Sequence, residues 1–137
     1  MIDDYDNIVI SMSNAKELNN IIKNHISISV KGFEIAGELS KTGYRLLIYI
    51  FKNLEVNCPK INLSNIKICK ELNEKYSYVI TNAKKELINK HIIKLYNKGK
   101  FGEYLINVNL FFKGSPASYL NYFDGIYADE LIEFITK

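Results

Sequence analysis

The sequence has little of several residue types, and each scarcity excludes a class of protein. Its 137 residues include two cysteines and two histidines, so neither a disulfide framework nor a zinc site of Cys and His ligands is expected. No apolar run approaches the roughly 18 residues that are needed to span a bilayer. The first residues, MIDDYDNIVI, are acidic where a signal peptide is basic. We therefore expect a cytoplasmic protein that does not enter a membrane.

Sequence patterns for catalysis are also missing. The chain contains no G-x-x-x-x-G-K-[ST], no G-x-G-x-x-G and no paired histidines. Its ten tyrosines are candidate nucleophiles for DNA strand transfer, but none stands beside a metal site of acidic residues and histidine that would activate it. We therefore predict that the protein is not an enzyme and needs no cofactor. A relaxase-like nicking protein is the enzymatic alternative.

Positive charge is concentrated in one part of the chain. Six lysines and one glutamate lie between Lys84 and Lys100, whereas residues 1–12 and 115–137 are both acidic. A basic segment between acidic ends is typical of a localised phosphate-binding face. The alternative is a Lys-rich surface whose charges are only solvated.

The order of elements between Lys60 and Gly114 predicts a winged helix-turn-helix. A strand, a helix, a tight connection and a second helix are followed by two strands that flank a Lys/Gly hairpin tip. These elements are predicted at Lys60–Leu63, from Asn65 to about Leu72, at Asn73–Tyr76, from Ser77 to about Lys90, at Ile92–Asn97 and at Glu103–Asn109. A short helix, a four-residue join and a second helix suit a motif whose second helix lies in the major groove.

The segments before this motif complete an α+β fold class. Alternating residues in His25–Val30 predict a strand that ends at Gly32, followed by an extended or turn segment over 33–39. Ser40 is expected to cap a strong helix that runs to about Leu54 and lies at the centre of the core. The chain is therefore divided into an N-terminal extension of short strands and a helix (1–39), a winged helix-turn-helix domain (40–114) and an aromatic C-terminal tail (115–137).

The C-terminal tail contains four aromatic residues (Tyr119, Tyr122, Phe123 and Tyr127), followed by a predicted helix at about 128–135. It is too apolar to remain a free tail. Because both faces of the hairpin strands are apolar, we expect the helices to cover one face and the termini to cover part of the other. A homodimer through the tail is the further expectation, since DNA readers of this class commonly pair on two half-sites.

The second helix of the predicted motif has a buried stripe and a polar side. Ile80, Ala83, Leu87 and Ile88 are expected to face the core. The polar side presents groups that bond base edges and phosphates, and the lysines of the hairpin tip are placed to reach the backbone. The candidate DNA-binding residues are Tyr76, Ser77, Tyr78, Thr81, Asn82, Lys84, Lys85, Asn89, Lys98 and Lys100.

Residues 40–114 resemble the RepL family of plasmid replication proteins from Gram-positive bacteria. The strongest likeness is the run YLINVNLFFKG from Tyr104 to Gly114, which is similar to that family's Y-x-I-N-P-x-x-F-x-K-G closing strand. Val108 stands where the family has proline. Weaker likenesses are a Ser-Lys-x-x opening at Ser40 before a helix, the run AKKEL from Ala83, and Ile92-Ile93-Lys94 after it. The resemblance implies a plasmid-encoded protein that binds an origin, or its own gene, to start or maintain replication.

Three functions from different classes follow from these observations. The leading hypothesis is a sequence-specific double-stranded DNA-binding protein that acts in plasmid replication, with host replication proteins as further candidate partners. A winged-helix transcriptional regulator would use the same surface, and fold alone does not separate the two. A winged helix that recruits a protein partner is the third hypothesis.

Overall fold

The computed structural model describes residues 25–96, 101–114 and Phe134. Within those residues the chain forms four helices and two small antiparallel sheets, an order compatible with a winged helix. The strands are β1 (Ser27–Ile28), β2 (Lys60–Asn62), β3 (Ile93–Leu95), β4 (Glu103–Ile106) and β5 (Phe111–Phe112). The helices are α1 (Val30–Gly37), α2 (Lys41–Asn53), α3 (Asn65–Leu72) and α4 (Ser77–Asn89). No helix of the described ranges has the length and apolarity that a bilayer crossing requires.

Helices α2, α3 and α4 pack around one apolar core. The buried residues recur at helical spacing, as the sequence predicts; they are Leu46, Leu47 and Ile50 on α2, Ile68 on α3, and Ile80, Ala83 and Leu87 on α4. The predictions for these three helices are confirmed to within a residue or two at their ends. The prediction that Ile88 faces the core was wrong, because its side chain is exposed. It follows Leu87 by one residue and therefore lies about 100° round the helix from the buried stripe.

The sheet behind these helices has the strand order β2-β4-β3. The register pairs Ile61 with Tyr104 and Tyr104 with Leu95, so β3 and β4 form an antiparallel hairpin against β2. The predicted strands at Lys60–Leu63 and Ile92–Asn97 are confirmed in their central residues. Gly102 has φ +82°, the positive value expected of a glycine at the hairpin tip.

The returning strand ends at Ile106 and not at Asn109 as predicted. Asn107 turns the chain: its backbone N–H donates to the Ile92 carbonyl and its side-chain amide donates to the His91 carbonyl. Its Oδ1 accepts the N–H of Asn109, and its carbonyl accepts those of Leu110 and Phe111. A local turn of this kind competes with the strand ladder, which is why alternation alone overestimated the strand.

The N-terminal prediction needs a second correction. The strand β1 stops at Ile28, and the segment from Val30 to Gly37 is helical, not extended. Ser29 is the reason, because its hydroxyl accepts the N–H of Gly32 and so starts a helix where the alternating pattern predicts more strand. A Cβ at Gly32 would overlap the Leu110 carbonyl, so α1 lies tightly against the turn after β4.

Strand β1 pairs with β5, which is the strand that follows the Asn107 turn. Ser27 lies opposite Phe112 and Ile28 opposite Phe111, and the Ser29 N–H donates to the Leu110 carbonyl. The described part of the N-terminal extension is therefore hydrogen-bonded to the end of the predicted winged domain. The domain boundaries themselves stay predictions, and residues 1–24 lie outside the described residues.

The outer face of the β2-β4-β3 sheet is also apolar. Tyr96 and Leu105 are buried there under Phe134, a residue of the C-terminal tail. The expectation that a terminus covers this face is confirmed at Phe134. The rest of the tail lies outside the described residues, so the predicted helix and the homodimer through the tail stay predictions.

Truncation of Phe134 to alanine is expected to uncover Leu105 and Tyr96. The predicted cost is about 3 kcal/mol in the free energy of unfolding, because a large buried ring is lost. Urea denaturation of the full chain measures it. Phe101→Ala is the matched control, since the Phe101 ring is fully exposed and its loss is expected to change stability by less than about 0.5 kcal/mol. Equal stabilities for the two variants would contradict the packing of Phe134.

Candidate nucleic-acid interface

A tight turn joins α3 to α4. Asn73 has φ 55° and ψ 43°, a left-handed conformation that asparagine tolerates, and the Glu74 N–H donates to the Cys69 carbonyl to close the end of α3. Four residues separate the last residue of α3 from Ser77, the first of α4. The turn sets the angle between the two helices and so decides which side of α4 faces solvent.

The exposed side of α4 is polar. It carries Tyr78, Thr81, Asn82, Lys85 and Asn89, which we call the α4 polar face. Ile80, Ala83 and Leu87 anchor the opposite side in the core. All five residues of the polar face were predicted from the sequence, and the structure brings them together on one surface.

An aromatic pair stands at the start of α4. The rings of Tyr76 and Tyr78 stack with centroids 5.6 Å apart, and the Lys75 ammonium lies 5.8 Å from the Tyr76 centroid. Both tyrosines are exposed. Tyr76, a predicted contact, therefore extends the polar face beyond the first turn of α4 and brings a positive charge with it.

Asn65 holds α4 against α3. Its side-chain amide donates to the hydroxyls of Ser77 at 3.0 Å and Thr81 at 2.9 Å. Both hydroxyls belong to predicted DNA-binding residues, and both are fixed in position by this contact. Asn65 itself was not predicted, because its partners lie 12 and 16 residues further along the chain.

Lys84 does not lie on the α4 polar face. Its ammonium donates to the Leu63 carbonyl at 2.7 Å and lies 5.5 Å from the centroid of the Tyr104 ring. Burial lowers the pKa of Lys84, an effect partly offset by Cys69 nearby. The structure thus places this predicted DNA contact between α4 and the sheet. Lys98 and Lys100 lie outside the described residues.

Glu86 ties the middle of α4 to the start of α2. Its carboxylate accepts the Ser40 hydroxyl at 2.6 Å and the Ser40 N–H at 2.8 Å. The same hydroxyl accepts the Gly43 N–H and so caps α2. A Cβ at Gly43 would overlap the Glu86 carboxylate, so glycine is the residue that fits there. We call these three residues the Ser40–Glu86 clamp.

The clamp contains a carboxylate, so its contribution to the stability of the fold depends on pH. The hydrogen bond from the Ser40 hydroxyl, then that from the Ser40 backbone, lowers the pKa of Glu86. A carboxyl whose folded pKa is lowered stabilises the fold above its unfolded pKa of about 4.3, and this stabilisation is lost as the pH falls through the folded pKa.

Replacement of Glu86 by glutamine tests the clamp. At neutral pH Glu86→Gln is expected to lower the free energy of unfolding by about 1 kcal/mol, because a neutral acceptor replaces a partly solvated carboxylate. In urea denaturation the gap between wild type and variant is expected to close as the pH falls from about 7 to about 3. Glu34→Gln, at an exposed carboxylate of α1, is the control. A gap that is the same at both pH values would contradict the charged clamp.

No family model matches the chain, and no match is found among curated proteins or among solved structures. The function is therefore argued from the α4 polar face and from the residues that hold it.

Proposed function

We propose that this chain is a winged helix-turn-helix protein that binds double-stranded DNA sequence-specifically and acts in the initiation or maintenance of plasmid replication by binding an origin. The observation that carries the DNA-binding part is the α4 polar face. It stands opposite a fully buried stripe and is fixed from two sides, by Asn65 on α3 and by the Ser40–Glu86 clamp on α2. A preorganised helix loses little conformational entropy on binding.

The side chains of the polar face suit the major groove. Asparagine bonds adenine through two hydrogen bonds, which makes Asn82 and Asn89 candidate base readers. Lys85 suits guanine or a phosphate, and Ser77 and Thr81 suit phosphates. The β3–β4 hairpin would then lie over the neighbouring backbone, where Lys98 and Lys100 of its tip are the proposed phosphate contacts.

The replication role rests on the resemblance of the run from Tyr104 to Gly114 to the RepL family. In this chain those residues close the fold: Tyr104 lies under Lys84, Asn107 turns the chain, and Lys113 donates to the Phe51 carbonyl at 3.0 Å. The likeness therefore supports a shared architecture more directly than a shared role. A transcriptional regulator would use the same polar face.

Selection of bound duplexes from a random pool tests the proposal. A single enriched motif is expected, and two copies at a fixed spacing would indicate a dimer. Genomic fragments then separate the roles, because an initiator enriches its own origin whereas a regulator enriches promoters only. Absence of binding to any duplex at about 150 mM salt would favour a protein-binding winged helix.

Two variants are expected to affect DNA binding in different ways. Asn82→Ala is expected to lower affinity for the selected site about tenfold and to relax preference at one base pair, since a bidentate contact is lost. Lys98→Ala is expected to weaken all duplexes alike and to reduce the salt slope by about one. Fluorescence anisotropy on selected and scrambled duplexes measures both.

Lys52→Ala is the control for these variants, because Lys52 is exposed in the last turn of α2 and belongs to no proposed contact. The affinity of this variant for the selected duplex and for the scrambled duplex is expected to equal that of wild type. An equal loss on every sequence for Asn82→Ala and Lys98→Ala would contradict base reading by α4.

A further inference from the structure

An open groove lies between the β3–β4 hairpin, the start of α3 and α4. Its volume is about 680 Å³. Three large apolar side chains on its wall are exposed to solvent: Ile66 by 82%, Leu95 by 48% and Phe101 completely. Single exposed apolar residues are ordinary on protein surfaces, but a group of them on one concave surface makes this groove a candidate binding site. We call it the hairpin groove.

Charge indicates what kind of partner the hairpin groove receives. Among the described residues that line it, Lys84 carries the one charged side chain, and no carboxylate is present. Asn65, which holds Ser77 and Thr81 of α4, lies on the same wall. The groove is thus apolar with a positive charge at its base, and it adjoins the surface proposed to bind DNA. This combination suits a nucleic acid better than a basic protein segment.

Phe101 combines a fixed backbone with a free ring. Its carbonyl accepts the side-chain amide of Asn62 at 3.4 Å, and the carbonyl of the next residue, Gly102, accepts the Leu63 N–H at 2.9 Å. Both bonds tie this end of the hairpin to the chain that leaves β2. The fully exposed ring is therefore presented from an anchored position, which lowers the entropy lost when it inserts into a partner.

We infer that the Phe101 ring enters the minor groove of the DNA, inserts as a wedge between two adjacent base pairs, and so bends the duplex. The inference rests on the proposed function, because α4 in the major groove would place the hairpin beside the adjacent minor groove. A phenyl ring offers no hydrogen bond, so its favourable contact with DNA is with unstacked bases or sugars. The preferred partner is then a duplex with a flexible pyrimidine–purine step beside the sequence that α4 reads.

Fluorescence energy transfer between dyes at the two ends of a selected duplex measures the bend. Wild type is expected to bend the duplex by an angle in the range of roughly 20–90° that apolar wedges produce. Phe101→Ala is expected to bind about tenfold more weakly and to leave the duplex nearly straight, since one base–aromatic contact is lost. Phe101→Leu is expected to retain most of the bend, because leucine also serves as a wedge. Phe33→Ala, at an exposed phenylalanine of α1 outside the groove, is expected to match wild type.

A second duplex tests the preference for a flexible step. Replacement of the pyrimidine–purine step by a stiff A-tract is expected to weaken wild type about tenfold and to leave the affinity of Phe101→Ala unchanged. A straight duplex in the wild-type complex, or an equal bend with Phe101→Ala, would overturn the wedge while leaving DNA binding intact. Failure of wild type to bind any duplex would instead overturn the proposed function.

Discussion

One carboxylate ties α4 to the start of α2. Glu86 accepts two hydrogen bonds from Ser40, and Ser40 in turn caps α2 by accepting the Gly43 N–H. One cluster therefore satisfies polar groups at the start of α2 and ties α4 to that helix. Because successive side chains on a helix lie about 100° apart, a rotation of α4 by about that angle would bring Glu86 or Ile88 to the place of the polar face. The α4 polar face can present a constant pattern to a partner because this cluster, Asn65 and the buried stripe together hold the helix.

The run that resembles the RepL family is, in this chain, mostly a set of fold-closing contacts. Asn107 ends β4 and starts the turn to β5, and Phe111 packs at 5.1 Å from the Phe51 ring. Burial lowers the pKa of Lys113, whose ammonium reaches a carbonyl near the end of α2. Gly114 has φ +136°, a backbone conformation that other residues rarely adopt, and a Cβ there would overlap the Asn57 side chain. Residue types in this run are thus dictated by packing, whereas the proposed base contacts lie on α4, where the likeness is weaker.

Local chemistry made the central helices predictable. Their apolar spacing, the cap at Ser40 and the left-handed Asn73 act within one or two turns of chain. The five residues of the α4 polar face followed from the same periodicity. The tertiary contacts could not be predicted from the sequence. Lys84 donates to the Leu63 carbonyl, and Glu86 is hydrogen-bonded to Ser40, which lies 46 residues away in the chain. The prediction that the strand continues beyond Ser29 was wrong for another reason. A serine that caps a helix and a serine on the polar face of a strand give the same alternating pattern.

The pairing of β1 with β5 has a consequence for the order in which the protein folds during synthesis. Helices α2, α3 and α4 and strands β2, β3 and β4 all consist of chain that emerges before Phe111. Phe111 then completes their core, and β1 needs Phe111 and Phe112 as its partners. Until those residues leave the ribosome, β1 is an unpaired edge that another nascent chain can occupy. Its two-residue length limits that hazard, because so short an edge offers few hydrogen bonds to a wrong partner.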